Sequence, residues 1–239
     1  MSALRQALVV PTLSPTEWQF LRTIADDRED APWMVMSEPQ WRSVSALFWS
    51  LEVYGQTHPV AWHPGAMLPL TYRPPGARRR KQVAPDVFAA IVPLEGRDSL
   101  AVDREGMPPF VLEVVSSSSV KRDLEEKTEI YRLLGAQEYV LVRLDLAVPR
   151  LEGYRRDETW AWTPWAPDGE GRLWSGVLGL GLVLRGREVR AVTPEGEVLR
   201  TPREEAQARA RADEEVARLR AALDQLTHGD GERGVADQS

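Results

Sequence analysis

The spacing of apolar positions predicts two helices near the start of the chain. Ser-Pro-Thr-Glu at 14–17 has the pattern of a capping box with proline at the first helical position, so a helix is expected from there to about residue 25. Ser37 and Gln40 predict a second capping box, which opens a helix over about 39–54. One face of that helix would carry the apolar side chains Trp41, Val44, Phe48 and Leu51.

From residue 60 the pattern changes to short apolar runs bounded by proline and glycine, at 60–62, 67–72, 83–92 and 99–102. These runs follow one another too closely for crossovers, so we expect antiparallel pairing. A strand at 110–115, a helix over 119–134 and a strand at 138–144 then predict a right-handed crossover between parallel strands. The expected core, over roughly residues 10 to 150, is therefore α/β, with a mixed sheet flanked by helices.

The remainder of the chain predicts a β extension and a separate helix. Residues 150–200 hold short strands rich in glycine and tryptophan, and the alternation of Trp160 and Trp162 favours one packed face over a base-stacking platform. Residues 202–227 predict a helix that docks, pairs with a second copy or frays, and 228–239 read as a disordered tail. The helix carries a short heptad seam of Ala212, Val216, Leu219, Leu223 and Leu226. We thus expect residues 1–201 to form the main domain.

Lys127 is the position that departs most from this pattern. It falls within the helical stripe of apolar residues Val120, Leu124, Tyr131 and Leu134. An ammonium group on a core-facing stripe is costly unless a negative group meets it. Glu113 is the one polar residue of the strand at 110–115, and Asp86 follows Pro85 at the start of another apolar run. Two carboxylates and a lysine against one sheet are the components of a divalent-metal phosphodiesterase site.

Two structural interpretations of the same residues remain open. Glu113 and Lys127 could form a buried ion pair that only fixes the register between strand and helix. Asp123 and Lys127 could also be a simple i, i+4 pair within one helix.

Composition narrows the class of protein. The 239 residues include no cysteine and three scattered histidines, which excludes thiolate chemistry and argues against an imidazole metal site. No apolar run is long enough for a bilayer and no signal peptide is recognisable, so we expect a cytoplasmic protein without membrane association. The net charge of −6 argues against bulk coating of nucleic acid. A local basic loop of Arg78, Arg79, Arg80 and Lys81, preceded by Arg73, is either a solvated loop or a DNA phosphate-binding surface.

The motif block resembles a known family. It consists of Pro85-Asp86, Glu113-Val-Val-Ser116, Asp123-x3-Lys127-x3-Tyr131, Gly135 and Glu138-Tyr139. This block is similar to that of the Uma-type restriction endonucleases, a group within the PD-(D/E)xK nuclease superfamily. The resemblance extends to the stretch at 178–182, the turn at 193–197 and the C-terminal helix.

The resemblance implies a restriction-endonuclease-like fold that hydrolyses DNA with Mg²⁺, or Mn²⁺ in its place. Asp86 and Glu113 would bind the metal, and Lys127 would orient or activate the attacking water, supported by the motif residues Ser116, Asp123 and Tyr131. The superfamily lysine lies two residues after the second acid, where this chain has Val115. In the family that the chain resembles, the lysine comes instead from the following helix, and Lys127 matches that position. The early-helix histidine or acid of many members is also missing between 41 and 48. The alternative is therefore a degenerate nuclease-like domain that acts as a binding or assembly module. The C-terminal helix could also join two copies of the chain in a homodimer.

Overall fold

The computed structural model describes residues 12–24, 36–117, 119–157 and 159–233, with side chains described as far as residue 223. The chain divides into two compact units, Met1–Leu199 and Arg200–Ser239. The boundary lies two residues before the expected end of the main domain.

The first unit contains four α-helices and twelve strands in its described residues. The helices are α1 (Pro15–Thr23), α2 (Glu38–Thr57), α3 (Val102–Glu105) and α4 (Thr128–Leu134), and a π-helical segment, Arg122–Lys127, leads directly into α4. The strands are β1 (His63–Gly65), β2 (Leu70–Tyr72), β3 (Lys81–Val83), β4 (Val87–Ala90), β5 (Leu100–Ala101), β6 (Phe110–Val115), β7 (Glu138–Arg143), β8 (Arg150–Arg156), β9 (Trp162–Trp165), β10 (Leu173–Ser175), β11 (Leu180–Arg185) and β12 (Glu188–Val192).

The main sheet has six strands in the order β1-β4-β6-β7-β8-β9. The central strands β6 and β7 are parallel, with Glu113 opposite Leu141, and the other neighbours in this sheet are antiparallel. The predicted mixed sheet and its crossover are thereby confirmed. The β extension divides, because β8 and β9 join the main sheet while β10, β11 and β12 form a second sheet.

The expectation of antiparallel pairing among the early strands is wrong for one pair. In a third sheet β2 pairs antiparallel with β3 but parallel with β5. The chain between β2 and β5 passes through β3 and β4, so it is long enough to return in the same direction.

Two hydrophobic cores cover the two faces of the main sheet. On one face α2 packs with Val44, Leu47 and Leu51 against apolar side chains of β4, β6 and β7. On the other face α1 and α4 pack against alternate residues of the same strands, including Val111 and Val115. Residues of β6 therefore alternate between the two cores, as expected for a central strand covered on both faces.

Both predicted capping boxes are present, at Ser14 with Glu17 and at Ser37 with Gln40. The predicted apolar face of α2 is only half right, because Trp41 is 54% exposed and Phe48 is half-buried. The buried face includes Ser43, whose hydroxyl accepts a hydrogen bond from the backbone N–H of Val189 at 2.9 Å. A small polar residue lets β12 approach α2 closely, which hydrophobic spacing does not reveal.

The second unit contains α5 (Pro202–Arg233). The helix continues past the predicted end at residue 227, so residues 228–233, which were assigned to the disordered tail, are helical, and 234–239 lie outside the described residues. Glycines at 229 and 231 lower helix propensity without terminating the helix. Val216, Leu219 and Leu223 of the predicted seam are exposed. No helix in the described part of the chain is long and apolar enough to span a bilayer.

Candidate functional site

Pro85 ends the pairing between β4 and β6 and so creates the site. Val87 lies opposite Leu112 in this antiparallel pair, and continuing the register would place Asp86 opposite Glu113 and Pro85 opposite Val114. Proline has no N–H to give to the facing strand. The ladder therefore stops, and its next two residues are available for side-chain interactions.

Side chains bind both backbone groups of Val114 where the ladder stops. Its N–H donates to Oδ2 of Asp86 at 2.7 Å, and its carbonyl accepts from Nε2 of Gln40 at 3.0 Å. The carbonyl of Pro85 instead accepts from the N–H of Met67 at 3.0 Å. Asp86 is thus held beside β6, on the same face of the sheet as Glu113.

The π-helical segment aims further charged residues at this point. Asp123 and Lys127 are buried, whereas Val120 and Leu124, which the sequence placed in the core, are only half-buried. The wider π turn changes which residues face the sheet, and such segments often occur at functional sites. The carbonyl of Asp123 accepts from the hydroxyls of Thr128 and Tyr139, each at 3.0 Å, which satisfies a group left over by the altered helix.

One ammonium group joins these carboxyls into a cluster. Nζ of Lys127 lies 3.1 Å from Oε1 of Glu113 and 3.4 Å from Oδ1 of Asp123. The hydroxyl of Tyr131 donates to the same Oε1 at 2.5 Å. Asp86, Glu113, Asp123 and Lys127 are between 1% and 7% exposed. Both ion pairs considered from sequence exist, and they belong to one buried network.

Burial raises the pKa values of the two predicted metal ligands. Desolvation raises the pKa of Asp86 to about 6, against the opposing effects of Lys127 and the Val114 N–H. Desolvation also raises the pKa of Glu113 well above its ordinary value, and the nearby charges of Asp86 and Asp123 add to this effect.

The donor chemistry fits a hard divalent cation. Three buried carboxyls accompany a single ammonium, which contacts two of them, Glu113 and Asp123. Protons or a cation would supply the positive charge that these carboxyls need. Mg²⁺ commonly takes one or two carboxylates and completes its shell with water and substrate oxygens. Among the described residues, no three His, Asp or Glu side chains are arranged to hold a metal by themselves. Asp86 and Glu113 would therefore share the ion with water or phosphate oxygens.

Ser116 lies beyond this network, at the end of β6. Its hydroxyl is 3.1 Å from that of Ser119, and its N–H donates to the same Ser119 hydroxyl at 3.1 Å. These bonds form the turn that leads into the helix carrying Asp123 and Lys127. Ser116 thus contributes to the predicted motif by shaping this turn.

The basic loop is partly used by the fold itself. Arg80 forms an ion pair with Asp103 and donates to the carbonyl and hydroxyl oxygens of Thr71. Lys81 opens β3 and donates to the carbonyl of Ile24. Arg78 and Arg79 are exposed. The expectation of an irregular loop is therefore wrong for Lys81 alone, while Arg80 and Lys81 both hold the loop against the rest of the domain. DNA binding by these four cations stays a prediction.

Sequence reasoning missed Gln40. The predicted capping box accounts for its side-chain oxygen, which accepts a hydrogen bond from the N–H of Ser37 at 3.0 Å. Its side-chain NH₂ group also donates to the carbonyl of Val114 on β6. The signal available in the sequence was Pro85. Because proline has no N–H, a carbonyl on the facing strand must accept a hydrogen bond from another group.

Comparisons with known proteins identify the family of the chain. A search of curated protein sequences gives no match. The Uma2 family, described as "Putative restriction endonuclease", matches residues 63–187, more than half of the chain. This region contains Asp86, Glu113 and Lys127, and the mixed sheet with flanking helices is a restriction-endonuclease-like fold. The chain therefore belongs to the Uma2 family.

Proposed function

We propose that this protein is a divalent-metal-dependent DNA endonuclease that hydrolyses phosphodiester bonds at the Asp86–Glu113–Lys127 cluster. Family membership supports nuclease chemistry in general. The observation that carries the specific proposal is the excess of buried acid, because a pair that served only to fix register would need one carboxylate for one ammonium.

Asp86 and Glu113 would hold Mg²⁺, with Mn²⁺ as a substitute. The bound ion would lower the pKa of a water molecule and offset negative charge on the phosphoryl oxygens. The Val114 N–H orients Asp86, and the Tyr131 hydroxyl orients Glu113. Lys127 supplies a cation and hydrogen-bond donors for the attacking water or the phosphate, while Asp123 keeps its ammonium group positioned.

Plasmid cleavage in Mg²⁺, Mn²⁺ and EDTA tests the proposal. We expect nicking or linearisation that requires the metal and is lost in Asp86→Asn, Glu113→Gln and Lys127→Met. Asp103→Asn is a matched control, because that carboxylate pairs with Arg80 away from the cluster. Cleavage that persists in EDTA, or in all three cluster variants, would overturn the proposal.

The alternative, a degenerate nuclease-like module, is favoured by one feature: the cluster is almost completely buried. Calorimetric titration with Mn²⁺ separates the two functions. The endonuclease should bind the ion more tightly than the Asp86→Asn/Glu113→Gln double variant does. Equal binding by the two proteins would favour the module.

A further inference from the structure

A groove of about 260 Å³ lies between the start of α2 and the turn that joins β11 to β12. Its lining contains three arginines in a chain of net charge −6. Arg42, Arg185 and Arg187 are exposed to solvent. The lining residues are Glu38, Pro39, Arg42, Arg185, Arg187 and Glu188.

The fold holds the arginine-bearing turn firmly. Arg185 pairs with Glu188 across a two-residue turn, and its first residue, Gly186, has a φ of 64°, which favours glycine. Nη2 of Arg187 donates to the carbonyl of Leu144 at 2.5 Å. The groove is therefore a preformed surface of the domain.

The groove and the acidic cluster lie at the same end of the main sheet. Gln40, on the α2 turn that lines the groove, binds the carbonyl of Val114, whose N–H binds Asp86. Leu144, which anchors Arg187, directly follows the last residue of β7. The cluster and the groove thus lie on opposite faces of the sheet, at the carboxyl ends of its parallel strands β6 and β7.

We propose that this groove binds the DNA phosphate backbone at the end of the sheet that holds the acidic cluster, an inference that rests on the proposed endonuclease function. Guanidinium groups bind phosphate oxygens through paired hydrogen bonds. The two carboxylates on the lining have cationic partners, because Glu38 pairs with Arg42 and Glu188 lies 3.1 Å from Arg190. The Glu38–Arg42 pair is exposed, so phosphate can replace Glu38 at little cost.

This surface is better suited to DNA than the complete basic loop. Arg80 and Lys81 are held by groups of the domain, so binding phosphate through them would break interactions that support β3. Arg42 and Arg185 carry no comparable long-range bond in the described structure. DNA contact there requires no rearrangement of the fold.

The experiment is fluorescence anisotropy of a labelled DNA duplex across a salt series, with Ca²⁺ in place of Mg²⁺. Arg42→Gln/Arg185→Gln should weaken binding and reduce the slope of log Kd against log salt by about 2, for two lost phosphate contacts. Arg187 is left unchanged because it anchors the turn. Arg155→Gln is the control, since Arg155 is an exposed arginine on β8 that lies opposite Glu138 in the strand register, at the other end of the sheet. Arg78→Gln/Arg79→Gln tests the rival surface.

A flattened slope in the groove variant, with the Arg155 control unchanged, supports the inference. Three results would overturn the inference. They are an unchanged slope in the groove variant, a slope that falls in the Arg78→Gln/Arg79→Gln variant instead, and no DNA binding by the wild type. Cleavage by the wild type in Mg²⁺ is measured in parallel. Groove-dependent binding without cleavage would refute the endonuclease and leave the DNA site standing, whereas cleavage without groove dependence would refute only the groove.

Discussion

Asp86→Asn should make the metal-free protein more stable at neutral and alkaline pH, although it removes a proposed metal ligand. Asparagine has nearly the same shape, and its carbonyl oxygen can still accept the Val114 N–H. What it removes is the cost of holding a carboxylate inside the domain. Active sites often carry such costs for the sake of function.

The magnitude follows from the pKa of Asp86, which burial raises from 3.8 to about 6. The folded protein binds this proton more tightly than the unfolded chain does. The stability contributed by Asp86 is therefore greatest below pH 3.8, falls as the pH rises through about 6, and is constant above that. A shift of about two pKa units corresponds to about 3 kcal/mol at pH 8, and about half of that difference is present at pH 5.

Urea denaturation in EDTA at pH 5 and pH 8 measures this effect. The free energy of unfolding of Asp86→Asn should exceed that of the wild type at both values, and by more at pH 8. Asp103→Asn should have the opposite effect at pH 8, because pairing with Arg80 lowers the pKa of Asp103. An Asp86→Asn protein no more stable than the wild type at pH 8 would refute the argument that this carboxyl is held at a desolvation cost.

Four further outcomes follow from individual contacts. Lys127→Met should destabilise the metal-free protein by less than the roughly 3–5 kcal/mol typical of a broken buried pair, because Glu113 can take up a proton. Added Mg²⁺ should restore the stability of this variant, and identical thermal melts with and without metal would contradict this. Gln40→Glu keeps the acceptor for the Ser37 N–H but leaves the Val114 carbonyl without its donor. The free energy of unfolding, measured by urea denaturation at pH 8, should therefore fall by about 1–3 kcal/mol. An unaltered midpoint would show that this bond is dispensable. Replacing Arg80 and Lys81 with serine should lower the thermal midpoint, whereas the same change at Arg78 and Arg79 should not, and equal midpoints would contradict the anchoring roles. If α5 pairs with a second copy, Leu219→Lys should shift sedimentation from dimer to monomer, and a wild-type monomer at high concentration would exclude such pairing.

Local patterns in the sequence were sufficient for much of the fold. The two capping boxes depend on residues three positions apart, and the parallel β6–β7 pair follows from strand, helix and strand in succession. The misplaced charge of Lys127 likewise indicated Glu113 as its partner, and the two lie 3.1 Å apart. Short-range spacing predicts these features because each depends mainly on the periodicity of its own element.

Tertiary structure decided how the site is assembled. The π-helical segment buries Asp123 in place of the apolar residues that a regular helix would bury, and a regular period cannot predict that change. The contact of Gln40 with Val114 joins residues 74 positions apart, and that of Arg80 with Asp103 makes part of an apparent DNA-binding loop structural. These interactions arise because buried backbone and charged groups must find partners wherever the fold brings them, and no local pattern specifies which partner that is.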